Sequence, residues 1–181
     1  MVHGWSGSPE EHWFPWVKAK LEKEGYKVDA PFMRTHDNPV IEEWVGHLEE
    51  IAGDYDEETV FIGHSIGCQA ILRFVEKVGR KAKGAIFVAG WFNLENMETV
   101  EEETIARSWI EISVDLEKVK KLIPKSVLII SDNDPYGVFE FNKQKFAELG
   151  SKIIVLPKAG HVTSSDGYNE LPILINEIKE L

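Results

Sequence analysis

The sequence has very little cysteine, no long apolar run and a shortage of basic residues. Its single cysteine, Cys68, excludes an intramolecular disulfide. No stretch approaches the roughly 18 uninterrupted apolar residues of a membrane span. The N-terminal MVHGWSG has neither the basic nor the apolar region of a secretory signal. We therefore expect a cytoplasmic protein that does not associate with membranes.

The charge balance argues against two kinds of partner, nucleic acids and anionic membranes. There are 20 Lys and Arg against 31 Asp and Glu, a net charge of −11. Binding to nucleic-acid phosphates or to anionic lipids needs the opposite sign, so neither partner is predicted. The acidic run Glu101–Glu103 predicts a solvated helical face. The length of 181 residues, 43% of them hydrophobic, is typical of one globular domain, predicted here over 1–181.

Short, continuous apolar runs indicate strands that are covered on both faces. Four such runs are TVFIG at 59–63, AIFVAG at 85–90, SVLIIS at 126–131 and KIIVL at 152–156, with a weaker fifth, YKVDA, at 26–30. Apolar residues at helical spacing lie between them, around 41–48 and 71–78, and after the last of them, around 171–178. This alternation predicts an α/β fold, a three-layer sandwich with a mostly parallel sheet of five or six strands between helices.

Three further segments carry helix signals. Ser8, Pro9 and Glu11 form a capping-box pattern that predicts a helix running to about Glu24. Asn38 and Pro39 give a second start signal. The segment 91–124 is too long for a simple connection, and we expect it to form helices over one edge of the sheet.

The residues that follow the apolar runs carry the chemistry, because ligands of such sheets bind beyond the carboxyl ends of the strands. Directly after Ile62 of the first run comes GHSIG at 63–67, a Gly-x-Ser-x-Gly pattern in the strand, turn and helix context of a nucleophile elbow. Asp134 and His161 follow the last two runs, in the chain order Ser, Asp, His. A serine becomes nucleophilic when a base takes its proton, so Ser65 with these partners is a predicted catalytic triad. Asp132 is a competing candidate for the acid.

The motifs together resemble the small serine hydrolases of the α/β-hydrolase superfamily related to retinoblastoma-binding protein 9 and its compact bacterial relatives. The segments that carry this resemblance are HGWSGSPEEHWFPWVK at 3–18, IGHSIGCQAILRF at 62–74, SDNDPYG at 131–137 and GHV at 160–162. It implies a minimal fold without a separate lid domain. It makes Ser65 the nucleophile, His161 the general base and Asp134 the orienting acid, since the family's acid directly precedes a proline. No cofactor is expected.

The chain departs from the family pattern in two places. Relatives have four or five apolar residues before His-Gly, where this chain has Met1 and Val2, so either the numbering begins late or the first strand is cut short. The Leu-x-Cys-x-Glu peptide of retinoblastoma recognition is absent, because Ile66 precedes and Ala70 follows Cys68. No retinoblastoma-type partner is predicted.

Other site residues follow from what acyl transfer needs. The oxyanion hole requires two backbone donors, which we expect to be the N–H groups of Ile66 and Trp5. His64, Trp91 and Phe92 are candidates for the pocket of a small-molecule acyl substrate, although ordinary packing explains the aromatic residues equally well. The histidines outside the triad lack paired ligand spacing, so no metal site is predicted; they are His3, His12, His36, His47 and His64.

Two alternatives stay open at this point. The chain could be a noncatalytic interaction protein or pseudoenzyme whose acidic 91–124 segment recruits a basic partner. Within hydrolases, one triad serves ester, aminoacyl-ester, peptide and thioester cleavage alike, and small carboxylic esters are the substrates we predict. The sequence makes no prediction of oligomeric state.

Overall fold

A four-stranded parallel sheet forms the centre of the protein, described here by a computed structural model of residues Met1–Leu181. The strands lie side by side in chain order: β1 (Val60–His64), β2 (Gly84–Val88), β3 (Ser126–Ser131) and β4 (Lys152–Leu156). In the register, Phe61 pairs with Ala85, and Ala85 in turn pairs with Ser126. The four continuous apolar runs are therefore confirmed as strands.

The predicted number of strands, five or six, is wrong. Val2 makes only an isolated parallel bridge to Gly63, with its N–H 2.8 Å from the carbonyl of Ile62. The segment 26–30 forms no strand. The edge of β1 away from β2 pairs with Val2 through this single bridge. Residues 26–30 therefore have no strand beside which to pair. The segment 26–30 is instead hydrogen-bonded to the N-terminal ammonium, which donates to the carbonyl of Asp29 at 2.6 Å.

Seven α-helices surround the sheet. They are α1 (Phe14–Lys23), α2 (Ile41–Ala52), α3 (Ile66–Val78), α4 (Val100–Glu111), α5 (Leu116–Leu122), α6 (Phe139–Leu149) and α7 (Pro172–Glu180). A short 3-10 turn lies at Ser164–Asp166. The predicted three-layer arrangement is confirmed, because helices cover both faces of the sheet.

Two apolar cores lie on opposite sides of the sheet. Ala85 and Phe87 of β2 belong to the larger core, with side chains of α2, α3, α5 and α6. Ile86 and Val88 belong to the smaller one, with side chains of α1 and α7. Successive strand residues point to opposite faces, so a strand buried on both sides needs an unbroken apolar run.

Two predicted helix starts are wrong. The first helix begins at Phe14, because His12 has a φ of +55°, which interrupts helical geometry. The hydroxyl of Ser8 accepts from the N–H of Glu10 in a turn. The second helix begins at Ile41 after an extended Val40, so Asn38 and Pro39 belong to the preceding loop.

The segment 91–124 does form helices, α4 and α5. Thr99 and Glu102 make a capping box at the start of α4, and Glu101–Glu103 occupy its first turn, where the helix dipole favours negative charge. The predicted position over an edge is wrong for α5, which packs against α3 and α6 on one face of the sheet. No helix in the protein has both the length and the apolar character needed to cross a bilayer.

Candidate active site

Ser65 lies in a tight turn between the end of β1 and the start of α3. Its φ of +52° and ψ of −123° are rare for a residue with a side chain, and surrounding structure must hold such a backbone in place. The N–H of Ser65 donates to the carbonyl of Val88 at 2.9 Å. A Cβ on Gly63 would lie 2.8 Å from the nitrogen of Cys68, and one on Gly67 would lie 2.4 Å from the carbonyl oxygen of Val2. Both glycines of the motif are thus required by close contacts.

His161 and Asp134 form a hydrogen-bonded pair. Nδ1 of His161 lies 2.8 Å from Oδ2 of Asp134, and the two side chains are only 16% and 5% exposed. The other carboxylate oxygen accepts from the N–H of Tyr136 at 3.0 Å. Because Nδ1 donates to the carboxylate, Nε2 is the ring nitrogen left to accept a proton.

Asp132 has a different partner. Its Oδ1 accepts the N–H of Lys158 at 2.7 Å, which joins the loop after β3 to the loop after β4. The structure therefore brings Asp134, and not Asp132, to the ring of His161.

Ser65 and His161 line one cavity of about 310 Å³ at the carboxyl ends of the strands. The Oγ of Ser65 and Nε2 of His161 make no direct hydrogen bond in this structure. Bonds of this kind often close only when substrate is in place. The side chain of Asp134 lies behind His161, outside the cavity lining.

The loop of residues 3–7 faces Ser65 across this cavity. A Cβ on Gly4 would lie 3.4 Å from Cβ of Ser65 and 3.0 Å from Nδ1 of His64, so the glycine permits a close approach. The main-chain N–H of Trp5 donates no hydrogen bond within the protein. The N–H of Ile66 is at the first position of α3, where a helix leaves amides unpaired.

His3 holds the loop of residues 3–7 in place through two hydrogen bonds. Its Nε2 accepts the N–H of Met33 at 2.9 Å, so Nδ1 carries the proton and donates to the carbonyl of Gly4 at 2.8 Å. Burial lowers the pKa of His3, which favours this neutral form. Val2 adds a second anchor, because its carbonyl accepts the N–H of His64 at 3.0 Å. The bridge of Val2 and the two hydrogen bonds of His3 thus fix this loop.

The walls of the cavity are mainly apolar on the side of the loop after β2. Trp91, Leu94 and Met97 lie there, and Trp91 is only 1% exposed. Phe92 lies outside the cavity, since its ring packs against Phe146 with centroids 5.0 Å apart. It is therefore placed as a packing residue, unlike His64 and Trp91, which line the cavity.

Several residues of the site carried no recognised signal in the sequence. His12 lines the cavity, and its Nδ1 accepts the N–H of Ser164 at 3.1 Å. Tyr136 stacks edge-on against His161 with ring centroids 5.3 Å apart. Asp166 binds the main chain of His161. Only Asp166 had a usable pattern, the spacing Thr163-x-x-Asp166 of a capping box.

Cys68 and the remaining histidines have structural surroundings. Cys68 is fully buried, and burial raises the pKa of its thiol. No group of three His, Cys, Asp or Glu side chains is arranged to hold a metal ion. His36 and His47 lie near the carboxylates of Asp37 and Glu50 respectively.

Two curated proteins and one solved structure are similar to this chain over most of its length. The putative hydrolase YdeN of Bacillus subtilis (strain 168) is 29% identical over 177 residues, which span 96% of this chain and 90% of the relative. The crystal structure of the B. subtilis ydeN gene product superposes with a TM-score of 0.89 at 26% identity, covering 99% of this chain and 95% of that one. The serine hydrolase RBBP9 of Rattus norvegicus is 24% identical over 160 residues, 88% of this chain and 82% of the relative.

The family match extends over almost the whole chain. A family model described as serine hydrolase matches residues 1–180. The resemblance that the motifs indicated is confirmed, and so is hydrolase function at this general level. The protein belongs to the serine hydrolase family and has the α/β-hydrolase fold.

Proposed function

We propose that the protein hydrolyses small, uncharged carboxylic esters through Ser65, His161 and Asp134, with an acyl-enzyme intermediate. One observation carries this proposal: the 2.8 Å bond between Nδ1 of His161 and Oδ2 of Asp134 leaves Nε2 for the cavity that Ser65 also lines. A base in the correct tautomer beside a serine in a constrained turn is the arrangement that acyl transfer requires.

The first half of the reaction acylates the serine. The Oγ of Ser65 attacks the ester carbonyl while Nε2 of His161 takes its proton, and Asp134 stabilises the imidazolium through Nδ1–H. The N–H groups of Trp5 and Ile66 donate to the oxyanion of the tetrahedral intermediate. The intermediate then expels the alcohol, which leaves with the proton from Nε2.

The second half releases the acid. Water attacks the acyl carbonyl and gives its proton to Nε2 of His161, and the same two N–H groups stabilise the second oxyanion. Collapse of that intermediate breaks the bond to Oγ, which regains the proton, and the carboxylic acid leaves. Ser65 and His161 return to their starting states, so the chain's own residues complete the cycle.

The cavity supports a small, uncharged substrate. Its volume of about 310 Å³ is near the lower end of the range for small-molecule sites. The apolar side formed by Trp91, Leu94 and Met97 suits a short alkyl or aryl group. Neither Lys nor Arg lines it, while Glu98 and Glu102 do, so an anionic acyl group would meet no counter-charge.

The test is hydrolysis of a panel of p-nitrophenyl esters, with matched aminoacyl esters, amides and thioesters. We expect turnover of short neutral esters by the wild-type protein and none by Ser65→Ala. Ser65→Ala must keep the wild-type thermal unfolding curve, so that its loss of activity reports on chemistry. Folded wild-type protein that behaves like Ser65→Ala on every substrate would exclude the proposal and favour a noncatalytic role. Faster turnover of another substrate class would replace the ester assignment and leave the triad in place.

A further inference from the structure

We propose that His64 and Asp166 are positioning residues that hold the main chain of His161 from two sides and so place its ring beside Ser65. This inference rests on the proposed function, because it concerns the geometry of the same base. Neither residue belongs to the triad, and each binds one of the two main-chain polar atoms of His161.

His64 binds the carbonyl of His161. Its Nε2 lies 2.9 Å from that oxygen, and the two imidazole rings pack with centroids 5.0 Å apart. A carbonyl only accepts, so Nε2 of His64 must carry the proton. His64 is 2% exposed, and burial together with the neighbouring His161 lowers its pKa well below the usual value. The ring is therefore a neutral donor with a fixed tautomer.

Asp166 binds the N–H of His161. Its Oδ2 accepts that N–H at 3.1 Å, and it also accepts the N–H of Thr163 at 3.1 Å and the hydroxyl of Thr163 at 2.7 Å. Burial alone would raise the pKa of Asp166, but these hydrogen bonds outweigh it and lower the pKa. A Cβ on Gly160 would lie 2.1 Å from Oδ1 of Asp166, so the main chain just before His161 packs closely against the Asp166 carboxylate.

The two contacts leave His161 little freedom. Its N–H is held by Asp166, its carbonyl by His64 and its Nδ1 by Asp134, so Nε2 alone lacks a protein partner. His64 directly precedes Ser65 in the chain. The hydrogen bond from His64 to His161 thus connects the residue before Ser65 to the proposed base, 97 positions away in the sequence. A displacement of about 1 Å in such a site costs roughly 100-fold in rate.

The first experiment compares two isosteric substitutions, His64→Gln and His64→Met. The Gln amide nitrogen can take the place of Nε2 and donate to the His161 carbonyl, whereas Met fills the same space without a donor. We expect His64→Met to lower kcat for a short p-nitrophenyl ester by about 10- to 100-fold with little change in KM. His64→Gln is expected to recover a large part of that loss.

A second pair addresses the other contact. Asp166→Ala removes the acceptor for the His161 N–H, and Asp166→Asn keeps one carboxamide oxygen there. We expect kcat to fall in the order wild type, Asp166→Asn, Asp166→Ala, again with KM nearly constant. Thermal unfolding of each variant shows whether it is folded. Should His64→Met fail to fold, the Asp166 pair decides in its place.

The outcomes separate this inference from the proposed function. Wild-type protein without esterase activity would overturn the proposed function, and the positioning role with it. An active wild type together with folded His64→Met and Asp166→Ala proteins of unchanged kcat would overturn the positioning role alone. Equal losses for His64→Gln and His64→Met would also contradict it, because the donor would then be irrelevant.

Discussion

His161 donates from Nδ1 to Oδ2 of Asp134 at 2.8 Å, and this bond selects between two acids in one loop. Asp132, two residues earlier, accepts instead from the N–H of Lys158. We expect Asp134→Asn to lower kcat by roughly 10⁴-fold, because an amide favours the wrong imidazole tautomer. Asp132→Asn should leave kcat close to wild type. Steady-state ester hydrolysis measures both, and the reverse ranking would show that Asp132 is the acid.

The contact between Gly67 and the first residues of the chain predicts a second effect. A Cβ at Gly67 would overlap the carbonyl oxygens of Val2 and His3, at 2.4 and 2.7 Å. We expect Gly67→Ala to destabilise the protein by about 1–3 kcal/mol and to lower kcat, because Val2 and His3 hold the loop of residues 3–7 beside Ser65.

Gly46 is the matched control for this substitution. It also lies in a helix, α2, and a Cβ there would meet nothing within 4 Å. Gly46→Ala should stabilise the protein by about 0.5–1 kcal/mol. Urea unfolding of both variants gives the comparison, and equal effects would mean that the close approach at Gly67 has no energetic consequence.

Burial of neutral histidine predicts a pH dependence of stability. Burial lowers the pKa of His64 well below its ordinary value of 6.5, so the unfolded chain binds a proton there that the folded chain does not. The free energy of unfolding must therefore rise with pH in this range and fall as pH drops below about 6.5. His3 and His12 act in the same direction.

The size of the effect can be isolated with one variant. His64 alone contributes a slope of up to about 1.4 kcal/mol per pH unit below its unfolded pKa. We expect His64→Gln to show a shallower loss of stability between about pH 7 and about pH 5 in urea unfolding. Identical slopes for the two proteins would mean that the pKa of His64 is the same in the folded and the unfolded chain.

Met97 predicts a change in substrate preference. Met97 and Leu94 line both the Ser65 cavity and an adjacent cavity of about 340 Å³. Met97→Ala should open a passage between them and raise kcat/KM for p-nitrophenyl hexanoate relative to acetate. Each methylene that reaches apolar wall contributes up to about 0.8 kcal/mol, or about fourfold. The control is Ile112→Ala, at an exposed position outside both cavities, and an unchanged ratio in Met97→Ala would contradict the prediction.

The four strands could be predicted from the sequence because their apolar runs are a local signal. A parallel strand covered on both faces needs an apolar run, and functional side chains then follow directly at its carboxyl end. Ser65 and His161 are at such ends and line one cavity, as expected from the pattern. Their catalytic roles, and that of Asp134, stay predictions.

The features that could not be predicted from the sequence depend on contacts between residues far apart in the chain. The first helix starts late because His12 takes a positive φ and binds Ser164, 152 positions away. Phe92 turns from the cavity because Asn142, 50 positions on, accepts its N–H and that of Asn93. Local patterns carry no information on such partners.

Covalent labelling shows whether Ser65 is the nucleophile. Wild-type protein is treated with a fluorophosphonate, digested and analysed by mass spectrometry to locate the adduct, with Ser65→Ala as control. We predict a single phosphonylated site at Ser65, no label on Ser65→Ala, and loss of ester hydrolysis in step with labelling. A label on another residue, or loss of activity without an adduct at Ser65, would show that Ser65 is not the nucleophile.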